Sequence, residues 1–226
     1  MELSDLARNL QAELEEKTGA RDAALAHCRI AVRASGNAIR ALHRYENDNA
    51  SALIDEARKE IDEAHSVLSD HPDVLHAGFV HDAEKELAEA LITFSLVTGG
   101  QMPTPRGVVL PSSAFLKGMA ESVGELRRFV LDLMRQGELD RCEQLLGVMD
   151  DIYYLLVSMD YPDGVTLGLR RLTDVARSII ERTRGDFTTS KIQSALRDAL
   201  EEHAAALTPP ADRTAAEEAL GEPEGA

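Results

Sequence analysis

Glu86 and Glu89 lie three residues apart in KELAEALITF, and Glu121 and Glu125 lie four apart in GMAESVGELRR. At about 100° per residue, each pair stays within roughly 60° of a common direction, so each projects from one face of its helix. Two such helices can aim four carboxylates at one point. Hard oxygen donors of this kind suit Mg2+ or Mn2+, which activate a water and shield the charge of a phosphodiester, the chemistry of a nuclease or pyrophosphatase. The spacing alone does not decide the matter. With 40 Asp and Glu residues in the chain, glutamates at helical intervals recur by chance and commonly mark a solvated face.

A second pattern lies nearer the start of the chain. Arg29, Arg33, Arg40 and Arg44 fall at roughly 0°, 40°, 20° and 60° around a helix, a strip roughly 22 Å long that can follow several phosphates. The competing reading is a surface strip paired with acids of neighbouring helices. Contrast favours function: formal net charge is -16, so arginines on one face make a locally positive channel, and their forks match phosphate. Arg127 and Arg128, just past the second glutamate pair, are further candidates for phosphate contact, although adjacent helical residues diverge by about 100° and cannot both face one site.

Composition sets the scaffold. The 226 residues include only 15 Gly and 8 Pro, and Ala, Leu, Glu and Arg abound, which predicts an all-α bundle. No run of eighteen apolar residues and no signal-like start is present, so the expectation is a cytoplasmic protein without membrane contact. Cys28 and Cys142 stand apart from any CxxC or Cys/His cluster and read as packing residues. The acidic, lysine-poor surface is compatible with a saline cytoplasm and equally with an ordinary acidic protein.

Periodicity and punctuation then place the elements. A long first helix is expected from about Leu3 to Tyr45, with apolar positions Leu25, Cys28, Val32, Ile39 and Leu42. A second, capped by Asn49 or Ser51, runs to about Ser69, and a third from His71-Pro72 to Val97 carries the first glutamate pair. After a proline-rich loop, QMPTPRGVVLPS, Ser112 or Ser113 caps a fourth helix ending near Gly137, which carries the second pair. Further helices fit Glu138 to Met159, Gly164 to Arg184 and Thr188 to Leu207, divided by YPDG and RGDF, giving about seven in one domain, 1–207. The remaining 208–226, rich in proline, alanine and acid, is expected to form a flexible tail.

Three segments together resemble the translin family, and its catalytic branch, translin-associated factor X, most closely, as an archaeal-type member. Ala114 to Asp140, AFLKGMAESVGELRRFVLDLMRQGELD, is similar to that family's aromatic-leucine-x-Gly-x-Ala-acid-x-x-Gly-Glu-Leu-x-Arg helix and following turn. Arg29 to Arg44, RIAVRASGNAIRALHR, resembles its first long helix ending in Leu-His-Arg, which makes His43 notable. KELAEA resembles the catalytic branch's Gln-Glu-aromatic-x-Glu-Ala. The resemblance implies that Glu86, Glu89 and Glu125, with Glu121 where the family has aspartate, form a Mg2+-dependent endoribonuclease site. It also implies hollow octamers enclosing RNA, built from this chain alone or with a second translin-family subunit.

Two other functions compete. A translin-like scaffold would bind RNA or single-stranded DNA without cutting it; with Trp 0 and 4% aromatic residues, binding would rest on phosphate. An all-α nucleotide pyrophosphohydrolase also sets glutamates on two helices, but favours ExxE followed by ExxD, whereas the second pair here is ExxxE. A ferritin-like di-metal site needs Glu-x-x-His twice, and no histidine here has glutamate three residues before it.

Overall fold

A computed structural model describes residues 3–207, which form nine helices and no strand. The long ones are α1 (Leu3–Leu42), α2 (Asn47–Val67), α4 (Gly78–Val97), α6 (Ser112–Gln136), α7 (Leu139–Ser158) and α9 (Leu169–Leu207). Single turns, α3 (Pro72–Leu75), α5 (Pro105–Val108) and α8 (Asp163–Thr166), sit at the proline-bearing connections. By its contacts the chain divides into two compact units, one through Arg184 and one from Gly185 onward. The expected tail, 208–226, lies outside the described residues. Among those residues, no helix is long and apolar enough to cross a membrane.

Alanine builds the first helix pair. On α1 the buried positions Ala24, Cys28, Ala31, Ser35, Ala38 and Leu42 alternate four and three apart, and Ala50, Ile54, Ala57, Ile61 and Ala64 do the same on α2. That interval is a knobs-into-holes seam, and its small side chains let the two backbones approach closely. The short turn between them forces the antiparallel arrangement. Val32, an expected core position, is instead 39% exposed, because alanines occupy the seam.

Helices α4 and α6 cross at Gly118. A Cβ added there would stand 2.6 Å from the Ala88 Cβ, 2.6 Å from the Lys85 carbonyl oxygen and 2.7 Å from the Glu89 nitrogen. Only glycine fits a crossing this close. Because Glu86 and Glu89 flank Ala88, and Glu121 follows Gly118 by one turn, this contact sets the distance between the two glutamate pairs.

Several boundaries differ from those expected. The third helix breaks at Ala77, whose extended backbone (φ -72°, ψ 151°) separates α3 from α4, so the proline turn and the glutamate helix are distinct. RGDF does not interrupt α9: one glycine costs a helix only about 1 kcal/mol, and Arg184 bonds Asp150 of α7 at 2.6 Å. Glu46 and Pro111, rather than Asn49, Ser51, Ser112 or Ser113, precede α2 and α6. Ser113 is engaged elsewhere, its hydroxyl lying 2.9 Å from His81 Nε2. At the far end of α6, Gly137 takes the left-handed conformation (φ 81°) and closes the helix as expected.

Candidate metal centre

Glu86, Glu89 and Glu121 each bring one carboxylate oxygen within 4.8 Å of the others. Oxygens on one six-coordinate Mg2+ lie roughly 3–4 Å apart, so small side-chain movements would let all three bind one ion. An all-oxygen, acidic donor set fits such a hard cation better than a soft one.

Electrostatics marks the same cluster. The Glu89 carboxyl is pushed up to about 8, first by burial and then by repulsion from Glu86, Glu121 and Glu125. A buried acid among three others favours its neutral form until a cation compensates the charge. Lys85 supplies part of that compensation: its Nζ donates to Glu86 Oε1 at 3.0 Å and to Glu121 Oε2 at 2.6 Å. Burial pulls the ammonium's pKa down, but the bonds to Glu121 and Glu86 outweigh it and the value is raised.

Glu125 is held differently. Its Oε2 accepts from His43 Nε2 at 2.6 Å, reaching across from α6 to the end of α1. The His43 side chain is 2% exposed and stacks on Phe129 with ring centroids 4.3 Å apart. Since Nδ1 is buried without a partner, a neutral imidazole here carries its proton on Nε2 and keeps Glu125 as acceptor. Sequence reading singled out His43 for its motif; its bond to Glu125, 82 residues away, needed the fold.

The arginines separate into groups. Arg29, Arg33 and Arg40 are exposed along α1, and Arg44 is exposed in the turn just past its end. Arg44 is committed to Glu46 through bonds of 2.7 and 2.8 Å, and Arg40 bonds Asn37, whereas among the described residues no acid pairs with Arg29 or Arg33. Arg127 turns toward α9, where it donates to Thr183 at 3.0 Å. Arg128 is exposed and, three residues beyond Glu125 and seven beyond Glu121, shares their face of α6. A cavity of about 960 Å3 also borders α4, lined by His65, His76, His81, Arg106 and Lys117, and none of the four glutamates belongs to it. Glu86 and Glu121 are partly exposed, at 29% and 28% of their side chains.

No family model matches this chain. Among solved structures, the crystal structure of AfC3PO, from Archaeoglobus, is 29% identical, covers 83% of this chain and 97% of its own, and superposes with a TM-score of 0.75. The structure of AfC3PO with duplex RNA is 30% identical over the same shares, with a TM-score of 0.64. Apo-NeC3PO, from Nematostella, agrees in fold at 17% identity, covering 83% of this chain and 96% of its own, with a TM-score of 0.68. An uncharacterized protein of Methanocaldococcus jannaschii is 29% identical over 178 residues, 78% of each chain. The fold is therefore the all-α bundle of the C3PO subunits. The chain belongs to the translin family.

Proposed function

We propose that this protein is a metal-dependent endoribonuclease that cuts single-stranded or short-duplex RNA inside an oligomeric chamber. The observation that carries the reading is the convergence of Glu86, Glu89 and Glu121 from two helices locked together at Gly118. A bound Mg2+ or Mn2+ supplies Lewis-acid activation of water and neutralises phosphodiester charge. Glu86, Glu89 and Glu121 would hold it, and Glu125, tethered by His43, would accept a hydrogen bond from the attacking water. Of the candidate arginines, Arg29, Arg33 and Arg128 have no acidic partner among the described residues and would contact phosphate. RNA in the AfC3PO complex supports RNA as ligand, and a homo-oligomer, octameric by family resemblance, would turn these groups inward and the acidic side outward.

Labelled RNA incubated with and without Mg2+ tests this reading. Cleavage should require metal and vanish in the Glu89→Gln, Glu125→Gln double variant; intact RNA at saturating protein and metal would sink it. The Lys85 bonds to Glu86 and Glu121 favour one alternative, RNA binding without cleavage, since they already neutralise part of the cluster. The same assay separates the two.

A further inference from the structure

We infer that Lys85 is a resident counter-ion of the acid cluster, occupying the place a divalent cation would take and having to leave before the metal can bind. The inference rests on the metal-site reading above.

The geometry is specific. Lys85 Nζ is 3.0 Å from Glu86 Oε1 and 2.6 Å from Glu121 Oε2, so two of the three prospective ligands already share one positive charge. The lysine side chain is only 15% exposed, against 29% for Glu86 and 28% for Glu121. Most of the lysine side chain is therefore packed away from solvent. Its backbone cannot retreat, because the Lys85 carbonyl is pressed against Gly118. The four-carbon stem can still swing, which makes the ammonium displaceable while the helix stays fixed.

The contact joins two helices: Lys85 on α4 meets Glu121 on α6, 36 positions away. There the cation relieves repulsion among Glu86, Glu89, Glu121 and Glu125.

Such a site has two alternative states, lysine-bound and metal-bound, and its metal affinity is set by their competition. An ammonium and a divalent ion sharing the same oxygens repel strongly at these distances, so simultaneous occupancy is disfavoured. The lysine-bound state also keeps the cluster compact without metal.

Calorimetric titration with MnCl2 of the wild type, Lys85→Gln and Lys85→Arg tests the competition. Lys85→Gln should bind Mn2+ roughly tenfold more tightly or better, as expected when a unit charge is removed from beside the ligands, while Lys85→Arg keeps the wild-type affinity or falls below it. Metal-free Lys85→Gln should also melt lower than the wild type and gain more on Mn2+ addition. A second measurement needs no variant to fold: the chain has five lysines, so in ε-13C-lysine-labelled wild type the Lys85 signal should move during a Mg2+ titration with the midpoint found by calorimetry. Equal Mn2+ affinity in wild type and Lys85→Gln, or a Lys85 signal that stays put as Mg2+ binds, overturns the inference alone. Absence of Mn2+ binding in both proteins overturns the metal-site reading, and the inference with it.

Discussion

Gly118 lies so close to Ala88 that a methyl group on the glycine would stand 2.6 Å from the alanine Cβ. The same methyl would press on the Lys85 carbonyl and the Glu89 nitrogen, both backbone atoms that cannot rotate away. Gly118→Ala must therefore push α4 and α6 apart, at a cost of about 2–3 kcal/mol from overpacking. Urea denaturation should show that loss, and metal affinity should fall with it because the glutamate pairs separate. An Ala88→Gly, Gly118→Ala double variant removes one of the three clashes and should recover only part of the stability.

Much of this was legible before any fold was known. The glutamate intervals singled out the three acids that converge, and α1, α2, α6 and α7 lie within about three residues of their expected bounds. What the sequence hid has physical causes. The α1–α2 seam is alanine, whose weak hydrophobicity leaves little periodic signal, so Val32 looked more like core than Ala31 or Ala38. Gly185 looked like a break, but an isolated glycine is tolerated in a helix that is anchored just before it by Arg184. Lys85 was invisible as a site residue because its role depends on Glu121, 36 positions away on another helix.

Glu89 should make the metal-free protein pH-sensitive. Its carboxyl is raised from an ordinary 4.5 to about 8, so folding favours the protonated acid. That stabilisation is complete below pH 4.5 and is lost as pH rises through about 8. The Tm of the metal-free wild type should fall across this window, whereas Glu89→Gln, which resembles the neutral acid, should keep more of its Tm at pH 8. Mn2+ binding near pH 7 should release a proton in the wild type and none at this position in the variant, readable by titration in buffers of different ionisation enthalpy.

His65 contributes a second slope at higher pH. Its pKa is raised above 6.5 chiefly by the hydrogen bond to Glu84, at 2.8 Å, whose side chain is only 5% exposed. The bonded, charged imidazole stabilises the fold fully below pH 6.5, and that contribution disappears as pH rises through the raised value. Measured in a Glu89→Gln background, Tm should still decline above pH 6.5. Adding His65→Gln should flatten that decline; an unchanged slope would show that the pair does not set it.

His43 should prove a positioning residue whose removal harms cleavage beyond its effect on stability. Truncation to alanine deletes the stack on Phe129 and the bond to Glu125, and should cost about 2–4 kcal/mol. His43→Phe fills the same space without a donor, so it should regain most of the packing yet leave Glu125 untethered. Under the proposed mechanism its kcat should drop while Mn2+ affinity changes little, because Glu86, Glu89 and Glu121 hold the ion. If His43→Phe cuts RNA at the wild-type rate, Glu125 needs no such tether.

The arginine strip can be divided by salt dependence. Arg29 and Arg33 have no acidic partner among the described residues, whereas Arg44 is clamped by Glu46, whose carboxyl that pairing holds down at about 2. Each free arginine that neutralises a phosphate releases counterions, contributing about 0.7 to the slope of log K against log salt for single strands. In metal-free buffer, where RNA stays intact, an Arg29→Ala, Arg33→Ala variant should lower that slope by about 1.4 in fluorescence anisotropy titrations. Arg44→Ala should lower it less, since Arg44 must first surrender Glu46 and the acid left behind repels the strand. Equal slopes in the wild type and the Arg29, Arg33 double variant would remove α1 from the RNA path and leave Arg128, on the glutamate face of α6, as the remaining cation to test.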